Sequence, residues 1–157
     1  MEEKNIKNLT FSINNEFFGI PISKVREVIQ HVDITPVHET LPFMKGVIDL
    51  RGKIIPILDM RMKFGIRENA QIDRTVFVIV DVLIDTGTFH LGITVDAVHD
   101  VVDINMEQVE KTPEIGLKLK SSYLYGITKV KDKLVMLLNI DKVLTTDEII
   151  SLNEIKN

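Results

Sequence analysis

The sequence predicts a mostly β protein made of two pseudo-symmetric five-stranded β-barrel subdomains, with short helices and a C-terminal helix. Three observations lead there: short apolar segments alternating with period two, an internal repeat, and helix-capping signals confined to brief stretches and the C-terminal end.

From the N-terminus, Leu9-Thr-Phe-Ser-Ile13 alternates apolar and polar residues, Asn14-Asn15-Glu16 supplies turn chemistry, and Phe17 to Ile22 resumes an apolar run, which together read as a hairpin. Further strands are expected at Val25 to Ile29, Gly46 to Leu50, Lys53 to Leu58, Thr75 to Val82, Thr88 to Val95, Val98 to Ile104, Tyr123 to Lys129 and Leu134 to Leu138. Asp59 is placed to cap a short helix over Met60 to Phe64 that Gly65 ends, and Asn139 to cap another over Ile140 to Leu144. Thr145 and Glu148 form a capping box ahead of Ile149, Ile150 and Leu152, so a longer C-terminal helix should pack against a barrel.

The repeat has two blocks. The segment Gly19 to Ile29 aligns without gaps on Gly92 to Val102, and Gly46 to Asp59 aligns in the same way on Gly126 to Asn139. The spacing between the blocks is slightly longer in the second copy, and the extra length falls most simply in the loop Thr112 to Ser122. Two similar units therefore follow one another, about 9–70 and about 71–157 with the C-terminal helix, within a single 157-residue domain, and strands can be exchanged between them. Closing each unit into a barrel removes its sheet edges, and two adjacent barrels leave a groove.

Composition narrows the function. The chain has no cysteine, which removes disulfides, thiolate metal sites and cysteine nucleophiles, and fits a reducing compartment. A net charge of -4 is the wrong sign for a phosphate-binding surface, so nucleic acid is not an expected partner. No signal-peptide pattern is read at Met1 to Asn5, and the apolar runs are far short of the ~20 residues that span a bilayer. A soluble, cytoplasmic chain without direct membrane contact is expected.

No catalytic constellation, cofactor motif or metal motif emerges. His31, His38, His90 and His99 lack metal-ligand spacing. Asp96, Asp100 and Asp103 are split between the faces of any continuous strand, and the corresponding positions in the first unit hold Ser23, Glu27 and Gln30. Walker, dinucleotide and nucleophile-elbow patterns are absent. The two units differ at one hairpin: the first reads Leu50-Arg51-Gly52-Lys53, the second Val130-Lys131-Asp132-Lys133. Gly52 permits a positive-φ turn that would aim Arg51 outward, where a guanidinium can meet a carboxylate with two parallel bonds. These residues leave open a protein adaptor, a small barrel enzyme or ligand binder using the cleft, and a structural β module.

The segments Phe18-Gly-Ile-Pro-Ile, Val25-Arg-Glu-Val-Ile, Pro42 to Arg61 and Leu91 to Val98 resemble the CheW family of bacterial chemotaxis coupling proteins, in order from about Leu9 to Leu144. The resemblance implies a CheW-like pair of barrels that joins methyl-accepting chemoreceptors to the regulatory domain of the histidine kinase CheA without catalysis. It implies recruitment to membrane-associated receptor arrays, with the receptor's helical tip received in the groove. The implied receptor contacts are Val25, Val28, Gly46, Leu50, Arg51 and Val98, and the implied kinase contacts are Lys45 and Ile54. The kinase domain of that family shares the double-barrel build, so one barrel of each can pair. Asp49 stands where the family usually has Asn.

Overall fold

The computed structural model describes residues 4–30, 32–37, 41–65, 76–85, 87–111 and 123–156. Its strands are β1 (Asn5–Ile13), β2 (Glu16–Pro21), β3 (Val25–Gln30), β4 (Met44–Leu50), β5 (Lys53–Leu58), β6 (Val76–Ile84), β7 (Gly87–Val95), β8 (Ala97–Asn105), β9 (Leu124–Val130) and β10 (Lys133–Leu138). Two α-helices complete it, α1 (Met60–Lys63) and α2 (Thr146–Lys156). Each expected strand is present within a few residues. Ile22 instead opens a short 3-10 turn before β3, and Thr75, His31, His38 and the loop 112–122 lie outside the described residues.

Three hairpins are closed by two-residue turns with both central residues at positive φ: Asn14 and Asn15, Arg51 and Gly52, and Lys131 and Asp132. That geometry matches the right-handed twist of the flanking strands. Asp49 accepts a hydrogen bond from the Gly52 amide through Oδ1 (2.8 Å), so the carboxylate does the acceptor work an Asn carbonyl would do there.

The strands form two five-stranded sheets, in the orders β8-β1-β2-β10-β9 and β3-β6-β7-β5-β4. In each, one pair is parallel, β2 with β10 and β5 with β7. The repeat explains the matching orders: β1 to β5 are one copy and β6 to β10 the next. Each sheet, however, takes two strands from one copy and three from the other. The strands within 9–70 are thus divided between both sheets, and this sharing of strands ties the sheets together.

Single residue pairs close the sheets into barrels. Thr35, beyond β3, exchanges two backbone hydrogen bonds with Val47 of β4 (2.8 and 2.9 Å), and Glu110, beyond β8, does the same with Ile127 of β9 (2.9 and 2.7 Å). Gly46 and Gly126 make this possible. These matched glycines of the repeat lie at φ +152 and +154, and a Cβ on either would overlap the carbonyl of Thr35 or Glu110.

Among the described residues the main core lies between the sheets. It holds twenty-three buried apolar residues, including Phe11, Phe18 and Ile20 from one sheet and Val80, Leu91 and Ile93 from the other, against five and three inside the two barrels. At about 1.5–3 kcal/mol for each fully buried large side chain, the seam dominates stability. A ladder of rings crosses it: Phe11 on Phe18 (5.8 Å), Phe18 on Phe64 (5.6 Å) and Phe64 on Tyr123 (6.1 Å).

Asp59 caps α1 as its sequence predicts, accepting from the Arg61 and Met62 amides. Asn139 stands before a 3-10 turn at Ile140–Lys142 but makes no side-chain cap there, a correction to the expected helix over Ile140 to Leu144. The Thr145–Glu148 capping box forms in both directions. It starts α2, whose Leu152 is fully buried in the seam. Lys63 holds that helix down: its ammonium lies 3.0 Å from both Glu148 oxygens and 4.4 Å from the centre of the Phe43 ring. Partial burial pushes the Glu148 carboxyl up, but bonds from the Thr145 amide and from Lys63 outweigh it and hold the group below its usual 4.5.

This packing makes the closing glycines and the α2 clamp measurable. Gly46→Ala and Gly126→Ala should each lose about 2–4 kcal/mol in urea unfolding, from overlap added to backbone strain. Gly65→Ala, at φ +71 with open space around it, should lose only about 1 kcal/mol. A depressed carboxylate stabilises the fold above its unfolded value and loses that contribution as pH falls through its folded value. The docking of α2 should therefore weaken below about pH 4.5. Glu148→Gln should flatten that acid dependence, while Lys63→Met should cost about 1–3 kcal/mol at neutral pH.

Candidate functional site

Arg51 sits at the tip of the β4–β5 hairpin with its side chain 72% exposed, and does not point freely into solvent. Its guanidinium turns back onto β3, where Nη1 and Nη2 donate to the two carboxylate oxygens of Glu27 at 2.7 and 2.8 Å. The bidentate carboxylate contact that the sequence suggested for a partner is thus made within the chain. The hydrogen bond from Arg51 holds the Glu27 carboxyl below its ordinary value, and the same bond raises the Arg51 guanidinium. Glu27 was not singled out from the sequence. Its signal was there, as the acidic residue of the first repeat block, two places after Val25 on the same strand.

β3 carries Val25 and Val28 on its seam face and Glu27 on its barrel face, with a bulge between Val25 and Glu27. Val28 is 42% exposed, and Val25 is half-buried against the seam. Val98, which aligns with Val25 in the repeat, occupies the equivalent position at the start of β8 on the other barrel and packs on the same seam. Leu50 is half-buried and packs onto the interior of the β3–β7 barrel. Gly46 is buried under Thr35, where its part is the closure described above. Ile54, 39% exposed, lies opposite Asp49 near the hairpin tip. Exposed Lys45 precedes Asp49 on β4 by about 13 Å of strand, so these two residues stand towards opposite ends of the hairpin.

The other charged residues singled out in the sequence are held in separate contacts. His90 Nδ1 lies 2.7 Å from Asp81 Oδ1, which also accepts from Arg26, and His99 bonds the Ser12 hydroxyl. Asp96 accepts from the Asn14 amide and from Arg61, both at 2.7 Å, and Asp103 pairs with Lys7. The carboxylates at 96, 100 and 103 therefore do not converge, and no group of three or more potential metal ligands occurs among the described residues. No helix among the described residues is long and apolar enough to cross a membrane.

Interlocked barrels that present an exposed ion pair and apolar side chains on a stiff hairpin define a paired-barrel scaffold, a class of protein that works by contact. Comparison with known proteins gives the family. Residues 7–148 match the model of the CheW-like domain. The chain is 36% identical over 140 residues to the chemotaxis protein CheW of Klebsiella aerogenes, covering 89% of this chain and 82% of that one. It is 31% identical over 144 residues to CheW of Thermotoga maritima, covering 90% and 89%. The crystal structure of the scaffolding protein TtCheW from Thermoanaerobacter tengcongensis superposes with a TM-score of 0.81 at 31% identity, covering 94% of this chain and 92% of that one. The chain belongs to the CheW-like family, and it is a chemotaxis scaffold rather than an enzyme.

Because Arg51 depresses the Glu27 carboxyl, NMR titration should find Glu27 titrating below 4.5 in the native chain and higher in Arg51→Ala. The pair is present above the folded value and lost as pH falls through it. Because it is solvent-exposed, its removal should leave the thermal midpoint nearly unchanged.

Proposed function

We propose that this chain is a non-catalytic adaptor that holds the cytoplasmic tip of a methyl-accepting chemoreceptor and the regulatory domain of the kinase CheA at a fixed geometry. In this reading it acts in the cytoplasm and is recruited to membrane-associated receptor arrays. The observation that carries the reading is the Arg51–Glu27 pair on a stiff hairpin, flanked by Val25 and by exposed Val28. Two of the five guanidinium N–H groups are used by Glu27, so the pair orients Arg51 while leaving donors for a partner. An amphipathic helical hairpin can set its apolar side against Val25, Val28 and Val98 and its polar groups against Arg51. Leu50 and Gly46 support the hairpin from beneath, and Lys45 and Ile54 are proposed for the kinase side.

The test is receptor-dependent kinase control in a reconstituted array. Arg51→Ala should weaken it about tenfold and Arg51→Glu further, since a few central residues supply most of an interface's affinity. Circular dichroism should be unchanged in both. Full control in both variants would remove Arg51 from the site.

A further inference from the structure

We propose that the mouth of the barrel formed by β8, β1, β2, β10 and β9 is a docking pocket for one aliphatic side chain flanked by a carboxylate, presented by the receptor tip. The inference rests on the adaptor reading above and extends the receptor surface from Val98 onto the second barrel.

The repeat supplies the comparison. In the β3–β7 barrel the corresponding interior is filled by Ile29, Leu50, Ile55 and Ile79, beside the Arg51–Glu27 pair. The aligned positions of the second copy hold Val102, Val130 and Val135 in place of Ile29, Leu50 and Ile55. Thr10 stands in for Ile79, because each pairs across the sheet with one of the matched glycines, Thr10 with Gly19 and Ile79 with Gly92. Three of these changes remove one carbon, and the fourth exchanges an aliphatic side chain for a hydroxyl. The ion pair is lost too. Asp100 replaces Glu27 and Lys131 replaces Arg51, a shorter carboxylate and a single ammonium in place of a fork, and neither makes an ion pair among the described residues.

What remains is a cavity of about 140 Å³, lined by Thr10, Phe17, His99, Val102, Val130 and Lys131 among others. Ligand pockets run to about 300–1,000 Å³, so this one has room for a single side chain. Its floor is apolar and selects an aliphatic group. Lys131 and Lys133 outnumber Asp100 around it, so a carboxylate beside that group is favoured. Lys133 already lies over the Phe17 ring at 4.5 Å, which leaves Lys131 to meet the incoming charge. The mouth begins at His99, directly after Val98, where a bulge opposite Leu9 and Phe11 turns β8 from its seam face, which carries Val98, to its barrel face.

The test restores the other barrel's residues with the double variant V102I/V130L, and reverses the rim charge with Lys131→Glu. Binding of a purified receptor-tip fragment and of the purified CheA regulatory domain is measured by calorimetry. The double variant should have an equal or higher thermal midpoint and bind the receptor fragment about tenfold more weakly. Lys131→Glu should also weaken receptor binding, and kinase binding should be unchanged in both. Unchanged receptor affinity in both variants overturns the proposal, and so does a loss confined to the kinase domain. A native chain that binds neither protein overturns the adaptor reading, and this inference with it.

Discussion

The structure depends on the exchange of strand pairs across one apolar seam. Had each repeat folded on itself, the two barrels would meet only at a surface. Instead β1 and β2 complete the barrel of β8, β9 and β10, and β6 and β7 complete that of β3, β4 and β5. Neither barrel can form from one repeat alone. The buried faces of β1, β2, β6 and β7 then make the seam, which explains why the largest apolar cluster lies between the barrels rather than within either. Rigid placement of one barrel relative to the other follows, and an adaptor that holds two partners at a set geometry requires such placement.

Polar contacts reinforce the seam at neighbouring places of the two copies, with opposite signs. Arg61, after β5, pairs with Asp96 at the entrance to β8, and Asp141, its counterpart after β10 in the second copy, pairs with Lys24 at the entrance to β3. Each acidic member also accepts a backbone hydrogen bond from the tip region of the swapped hairpin, Asp96 from Asn14 and Asp141 from Leu83. The duplication kept one end of the brace, the aligned Arg61 and Asp141, with its charge reversed, while the other end moved by one residue, from Asp96, which aligns with Ser23, to Lys24. The barrel mouths diverged further, one carrying the exposed Arg51–Glu27 pair and the other left with smaller side chains and no equivalent pair between Asp100 and Lys131.

Much of this was legible in the sequence because it follows local rules. Period-two alternation placed the strands, Asp59 and the Thr145–Glu148 box marked helix starts, and the matched glycines marked the repeat. The exchange of strands was not fixed by those signals, since β1 can pair with β2 whether the hairpin stays home or crosses, and only the seam packing decides. Asn139 failed as a cap because the turn after it tightens to 3-10 geometry and its side chain makes no cap bond. At the site, the hairpin and the positive φ at Gly52 were readable, whereas the direction of the Arg51 side chain was not. That direction depends on Glu27, which is distant in the chain and reaches it only through barrel closure.

Native-state hydrogen exchange tests the interlock most directly. If the repeats are tied through exchanged strands, the slowest amides of β2 and β10 should open with the same free energy and denaturant dependence as those of β5 and β7, in one global event. Two separate opening energies, one for each barrel, would contradict the account.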